Sequence, residues 1–251
     1  MNNKIKTTQK KRNKKRLNHK RKFRFLIVSF CLLIIIGGIN LAEGGYVSKI
    51  VNGTENEPFI LQTNSEIVKN DWRLILVNHW NPIPDDYKVS LIKLKNGESV
   101  DERIYSDLQE MFDNARNAGI YPMISSGYRT TQTQQDMFDE KLNDFKSQGY
   151  PTKDAETMTE KWVAIPGTSE HQIGLAIDVV GEDSQDNAKV QQWLKENSFK
   201  YGFILRYSSD KTDITGTNFE PWHFRYVGKE NAFKIYESGL CLEQYLESLN
   251  K

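Results

Sequence analysis

Residues 25–42 form a run of 18 residues without a single charge, built mostly from Leu, Ile, Val and Phe, directly behind a strongly basic tail. A helix of ~18 to 20 apolar residues crosses the hydrocarbon core of a bilayer, and a basic flank holds its own side in the cytoplasm. Residues 1–24 carry twelve Lys or Arg and no acid, so the other 227 residues hold 22 basic against 33 acidic side chains, a formal charge of −11. The net charge of +1 is therefore the sum of two opposed parts and describes neither. The expected organisation is a basic cytoplasmic tail (1–24), a transmembrane anchor (25–42), an extracellular linker (43–70) and one folded domain (71–251). A cleaved secretion signal is the competing reading, with Ala42-Glu43-Gly44 as a small-residue stretch for cleavage. The apolar core of such signals, ~7 to 15 residues, is shorter than this run. A basic tract can bind nucleic acid, but beside a spanning segment it orients the helix and meets anionic lipid, so no nucleic-acid partner is expected.

Cys31 falls within the apolar run and Cys241 near the C-terminus, so the two do not pair within one molecule. The outer domain must be held by its core instead of a disulfide, and its ~180 residues suffice for one. Residues 43–70 are polar and lack helical or strand periodicity, which suits a tether. From Asp71 the texture changes. Residues 72–77 read as a buried strand, closed by the turn signals Asn81-Pro82 and Pro84-Asp85. Ile104, Leu108, Met111, Phe112 and Ala115 share one face of a helix over 103–118, with Gly119 as its stop. Further helices are predicted over 131–148, 153–163, 188–197 and from about residue 230, and strands over 120–125, 174–180, 203–207 and 222–226. Helices early and paired strands late point to an α+β domain with a small antiparallel sheet flanked by helices.

The chain has four histidines. His19 lies in the basic tail, and His79, beside Trp80 in a strand-to-turn region, reads as structural. His171 and His223 keep different company. The segment Pro166-Gly-Thr-Ser-Glu-His171-Gln-Ile-Gly174-Leu-Ala176-Ile-Asp178 runs from a polar turn into a strand. Alternation puts Gly174, Ala176 and Asp178 on one face, opposite Leu175, Ile177 and Val179. An aspartate in an apolar strand is costly unless it accepts hydrogen bonds or binds a metal, and both readings are open at Asp178. Glu220-Pro221-Trp222-His223 adds a second imidazole with a carboxylate three residues upstream. Two His and one Asp suit zinc, which in catalytic sites takes three protein ligands. His171, Asp178 and His223 are thus the candidate ligands of one zinc per chain, with Glu220 placed to carry a proton. Pro221 disfavours a helix running from Glu220 to His223, so this is not the helical motif with two His four residues apart. The ligands would come from separate segments.

Three motifs in order, Ser126-Gly-Tyr-Arg129, Ser169-Glu-His171 with Gly174-Leu-Ala-Ile-Asp178, and Glu220-Pro-Trp-His223, resemble the VanY-type D-alanyl-D-alanine carboxypeptidases, a class of zinc peptidases. LILVNHWNPIP at 74–84 and LCLEQYL at 240–246 also resemble that group, so the likeness runs from Trp72 to the C-terminus. The resemblance implies a D-Ala-D-Ala-metallopeptidase-like fold, zinc on His171, Asp178 and His223, and Glu220 as catalytic base and acid. It places Arg129 against the scissile carbonyl or the substrate terminus, where a guanidinium can stabilise an oxyanion or grip a carboxylate. Gln134, Ser169 and Tyr207 resemble positions lining the substrate pocket, and Trp222 either walls that pocket or is a core indole. The implied activity is removal of terminal D-alanine from peptidoglycan stem pentapeptides outside the cell, with a contribution to glycopeptide resistance as one consequence. The rivals are L,D-carboxypeptidase, D,D-dipeptidase or wall endopeptidase action on the same fold, and a non-catalytic wall-binding module.

Overall fold

The computed structural model describes residues 71–182 and 185–249. The expected tail, anchor and linker, with His19 and Cys31, lie outside the described residues. Among the described residues no helix is long and apolar enough to cross a membrane.

A short antiparallel hairpin, β1 (Leu91–Lys93) and β2 (Ser99–Asp101), precedes a four-stranded sheet. That sheet holds β3 (Pro122–Ser126), β4 (Ala176–Gly181), β5 (Phe203–Leu205) and β6 (His223–Tyr226), in spatial order β3-β4-β6-β5 and antiparallel throughout. Around it run α1 (Tyr105–Asn117), α2 (Thr131–Ser147), α3 (Thr152–Glu160), α4 (Asn187–Asn197), α5 (Thr212–Thr215), α6 (Lys229–Ser238) and α7 (Leu242–Ser248). The architecture is the α+β arrangement with a small antiparallel sheet that the sequence predicts.

Strand periodicity gives the sheet two unlike faces. Ile124, Ile177, Val179, Phe203, Phe224 and Tyr226 pack in one core cluster with Leu108, Met111 and Phe112 of α1 and Val190 and Leu194 of α4. Burying one such side chain contributes ~1.5–3 kcal/mol relative to leaving it in water, so this face holds the sheet in place. The opposite face carries Asp178, His223 and Arg225, all buried. Ile204 of β5 joins a second apolar cluster with Ala232 and Ile235 of α6 and Leu242, Tyr245 and Leu246 of α7. Cys241 is a buried free thiol at the start of α7.

Helix starts follow capping chemistry. Thr130 accepts the Thr133 amide at 3.0 Å at the head of α2, and Asp186 accepts the Ala188 amide at 3.0 Å at the head of α4. Besides shifts of a residue or two at element ends and the unpredicted short helices α5 and α7, the structure departs from the sequence reading in four places. Residues 72–77 are not a sheet strand: Trp72–Leu74 form a 3-10 turn capped by Asp71. The backbone there finds its partner in a side chain, because the Arg73 and Ile75 carbonyls accept hydrogen bonds from Arg225 Nη2 at 3.0 and 2.8 Å. The strand predicted from Gly174 begins at Ala176. Gly174 instead ends a 3-10 turn, Glu170–Ile173, with φ +73°, where an added Cβ would lie 3.0 Å from the Asp101 amide nitrogen and from Val89 Cγ2. Helix α3 stops at Glu160, short of the predicted residue 163. The β1–β2 hairpin is additional, its three-residue strands being too short to show a period.

Candidate metal centre

Sheet register does most of the assembly. Asp178 on β4 stands directly opposite His223 on β6, and opposite Ser126 on β3. The second pairing follows a register shift between Ile124 and Ser126, a bulge that re-aims the strand end. The 3-10 turn leading into β4 delivers His171. One donor atom from each of His171, Asp178 and His223 lies within 4.8 Å of the others.

The imidazoles are held in defined protonation states by what lies behind them. His171 Nδ1 is 2.8 Å from the Gly127 carbonyl, so Nδ1 carries the proton and donates it. Gly127 is required at that place: an added Cβ would fall 2.3 Å from the Ser99 carbonyl oxygen, which also accepts the Tyr128 amide at 2.6 Å. Burial, then the charge of Arg129, lowers His171 to about 4, so its ring is neutral near pH 7. Its Nε2 therefore presents a lone pair. Among the described residues that buried atom has no hydrogen-bond partner, and it sits 3.3 Å from Asp178 Oδ1. A nitrogen lone pair facing a carboxylate oxygen is repulsive unless a cation lies between them.

His223 completes the set. Its Nδ1 is 3.1 Å from Asp178 Oδ1, and its Nε2 is 3.4 Å from Glu170 Oε2. Burial pushes this imidazole down, but its hydrogen bonds to Asp178 and Glu170 prevail and lift it to about 9. The pocket thus attracts positive charge to Nδ1, a demand that a proton or a metal ion meets equally. Burial would raise Asp178, but the Arg129 guanidinium at 2.6 Å and the hydrogen bond from His223 overcome it and hold its carboxyl well below the usual carboxylate range, so it stays ionised. Ligand atoms around a tetrahedral zinc at ~2.0–2.1 Å stand about 3.3 Å apart. The separations of 3.3 and 3.1 Å at Asp178 Oδ1 match that spacing. The residues present fit zinc, with Nε2 of His171, Nδ1 of His223 and Asp178 as the donors.

Behind His223 lies a buried charge cluster that no motif reading singles out. Glu170 Oε1 accepts from Arg206 Nε at 2.8 Å and from Arg225 Nη1 at 2.9 Å. Burial would raise the Glu170 carboxyl, but the two guanidinium groups overcome it and hold it well below the usual range. Arg206 also makes a fork to Glu243, at 2.8 and 2.6 Å, and Asn78 Nδ2 donates to Glu243 at 3.0 Å. This cluster fixes the carboxylate that orients His223, the role an outer partner plays for a metal-ligating imidazole. Its sign in the sequence is charge inside apolar strand segments, Ile204-Leu205-Arg206 and Phe224-Arg225-Tyr226.

The other candidate residues distribute as follows. Glu220 is 7% exposed, with Oε2 3.6 Å from His223 Nδ1. Burial raises its carboxyl to about 8, against the opposing pull of His223. Arg129 reaches Ser126 Oγ at 2.9 Å, Asp178 Oδ2 at 2.6 Å and Gln134 Oε1 at 3.4 Å. Its firmest contact is therefore with Asp178, not with open space. Gln134 is fully buried and donates to the Ala164 carbonyl at 2.7 Å, so it anchors Arg129 to a neighbouring loop. Ser169 is buried at the head of the turn carrying His171. The Tyr207 ring lies 4.8 Å from that of His223, beside the site. Trp222 is half-buried and belongs to neither core cluster; its carbonyl accepts the Val179 amide at 2.9 Å.

Residues 97–229 match the family model VanY, described as D-alanyl-D-alanine carboxypeptidase. Over 181 residues the chain is 53% identical to a D-alanyl-D-alanine carboxypeptidase of Enterococcus faecalis, covering 72% of this chain and 68% of that protein. Among solved structures, VanYB in complex with D-alanine-D-alanine matches with a TM-score of 0.70 at 54% identity, over 70% of this chain and 98% of the other. A mutant of the vancomycin-resistance D,D-pentapeptidase VanY from a VanB-type cassette, in complex with Zn(II), matches with a TM-score of 0.68 at 55% identity. That match covers 70% of this chain and 99% of the other.

Proposed function

This chain belongs to the VanY family of D-alanyl-D-alanine carboxypeptidases, and from that membership and the site geometry we propose that it is a zinc-dependent D,D-carboxypeptidase removing the C-terminal D-alanine of peptidoglycan stem pentapeptides. The observation that carries the reading is the buried Nε2 of His171, without a hydrogen bond among the described residues and facing Asp178, beside a His223 that has Glu220 within 3.6 Å. Zinc held by His171, Asp178 and His223 supplies Lewis-acid polarisation of a carbonyl and acidifies water.

The chain's own residues do the rest. Glu220 takes the proton of the attacking water and passes it to the leaving amine, and a carboxyl raised toward neutrality is suited to both transfers. Arg129 steadies developing negative charge or the terminal carboxylate through Nη1, whose described contact with Gln134 is long at 3.4 Å. Its Nη2 stays on Asp178 and fixes that carboxylate. Tyr207 stands beside His223, and Ser169 and Gln134 hold the loops around the site.

Residues 25–42 anchor the domain to the bacterial cell membrane as a single pass, with residues 43–70 as an outward-facing tether and the catalytic domain extracellular. The uncharged run and its basic flank support this reading. Protease added to intact cells should then digest the domain while the chain stays with the membrane fraction; release into the medium would instead mean cleavage. Trimming the terminal D-alanine removes the dipeptide that glycopeptides bind, which links the activity to glycopeptide resistance.

Zinc uptake tests the metal site directly. His223 titrates near 9, so at pH 7 its Nδ1 carries a proton that zinc must displace. His171 at about 4 is already neutral, and Asp178 is already ionised. Between one and two protons should be released per zinc bound near pH 7. One comes from His223 and a fraction from Glu220, whose carboxyl is raised to about 8 and is ionised by a neighbouring cation. Affinity should fall by at least about tenfold per pH unit as pH drops from 8 toward 6. Calorimetry in buffers of different ionisation enthalpy measures the proton count, and D-alanine release should return with the bound metal. A pH-independent affinity, or activity without metal, would remove this assignment.

A further inference from the structure

The β1–β2 hairpin supplies no residue of the metal set, yet it touches both segments that deliver His171 and Arg129. Val100 of β2 is buried in the main core cluster and Ile92 of β1 packs against that cluster, so the hairpin is fixed to the body of the domain. At one end of β2 the Asp101 amide donates to the carbonyl of Gly174 at 3.0 Å, where the turn carrying His171 ends. At the other end the Ser99 carbonyl accepts the Tyr128 amide at 2.6 Å. The strand therefore splints the His171 turn to the loop of Gly127 and Arg129.

The hairpin turn extends this hold with side chains. β3 is an edge strand of the four-stranded sheet, and its outward backbone groups need partners from elsewhere. Asn96 Nδ2 donates to the Ile124 carbonyl at 2.8 Å, where the register shift begins. Glu98, half-buried, accepts the Gly127 amide on Oε2 at 3.0 Å. The next peptide unit, between Gly127 and Tyr128, is held at both ends. Its N–H donates to Ser99, and its carbonyl accepts from Nδ1 of His171 at 2.8 Å. A peptide that donates at its N–H is a better acceptor at its carbonyl. Such an outer partner fixes the tautomer and direction of a metal-ligating imidazole.

We propose that Glu98 is a positioning residue of the metal centre: by holding the Gly127 amide it sets the carbonyl that aims His171 at the metal. The assignment rests on the zinc reading. Glu98 acts through the loop and takes no part in bond cleavage.

The test uses the full-length chain and the variants Glu98→Ala and Glu98→Gln. Zinc affinity is measured by competition with a chromophoric chelator, and ligand geometry by the visible absorption of the cobalt(II)-substituted protein. Glu98→Ala should weaken zinc binding by about three- to tenfold, less than loss of a direct outer partner, and should alter the cobalt spectrum. D-alanine release at limiting zinc should fall with the affinity. Glu98→Gln keeps an oxygen that accepts the Gly127 amide, so it should stay within about twofold of the parent and keep its spectrum. Should the Ala variant not fold, Glu98→Asp, whose shorter side chain withdraws the acceptor, carries the same expectation. A melting temperature lowered in Glu98→Ala with zinc affinity and cobalt spectrum unchanged would reduce Glu98 to plain support and overturn the proposal. A Gln variant as impaired as the Ala variant would overturn it too. A parent chain that binds no zinc would overturn the zinc reading itself, and this assignment with it.

Discussion

Replacing Glu220 with Gln is expected to lower kcat/KM by about 10²- to 10⁴-fold while zinc content stays near one per chain. The substitution keeps the volume of a side chain that is 7% exposed and takes away only its ability to gain and lose a proton. The carboxyl stands 3.6 Å from His223 Nδ1, close to the metal donors yet outside the set of three. The backbone around it should not move, since the Glu220 amide donates to the Tyr207 carbonyl at 3.1 Å and its carbonyl accepts from the His223 amide at 3.2 Å. Stability supplies a control with a definite sign. A carboxyl raised from 4.5 to about 8 on folding costs stability as pH climbs from the lower value to the higher. The zinc-free Gln variant should therefore be no less stable than its parent at pH 7. Kinetics and metal content measured on one preparation decide the matter: residual turnover within tenfold of the parent would deny Glu220 its role.

Replacing Arg206 with Met is expected to destabilise the domain by ~3–5 kcal/mol, the cost of leaving buried carboxylates without their counter-charge. Arg206 is 1% exposed and is the link between Glu170 and Glu243. Without it Glu243 keeps Asn78, and Glu170 keeps Arg225 and His223. For a domain of this size the loss amounts to a fall of roughly 6–20 °C in Tm. Weaker zinc binding should accompany it, by about 10- to 100-fold, because the carboxylate that orients His223 is released. The double variant Arg206→Met with Glu243→Leu should recover part of the stability, since it removes a stranded charge along with its partner. A shift of less than 2 °C in the single variant would mean that the cluster is open to water and does not hold the ligand.

The reason Arg206 escapes a reading of the sequence is physical. An ion cluster assembled from Asn78, Glu170, Arg206, Arg225 and Glu243 has no period and no spacing, because its members meet only after the sheet and α7 have formed. His171, Asp178 and His223 are easier to single out, since strand alternation and the Glu220-Pro221 turn are local and leave polar groups where apolar ones are expected. Helix α1 is legible from Leu108, Met111, Phe112 and Ala115 at helical spacing, all of them buried in the structure. Residues 72–77 mislead because their apolar pattern is that of a strand, while their carbonyls are taken up by Arg225. Arg129 belongs to the same class of difficulty. Its contact with Asp178 depends on the bulge after Ile124, which sets Ser126 opposite that aspartate and has no signature in Ser126-Gly-Tyr-Arg129.

The most direct measurement is a mass-spectrometric product profile from a stem pentapeptide, taken with zinc, with a chelator, and with zinc restored. A zinc D,D-carboxypeptidase gives one product pair, the tetrapeptide and free D-alanine, which disappears on chelation and returns with the metal. Release of the intact D-alanyl-D-alanine dipeptide, trimming of tetrapeptide but not pentapeptide, or turnover that ignores the chelator would contradict it.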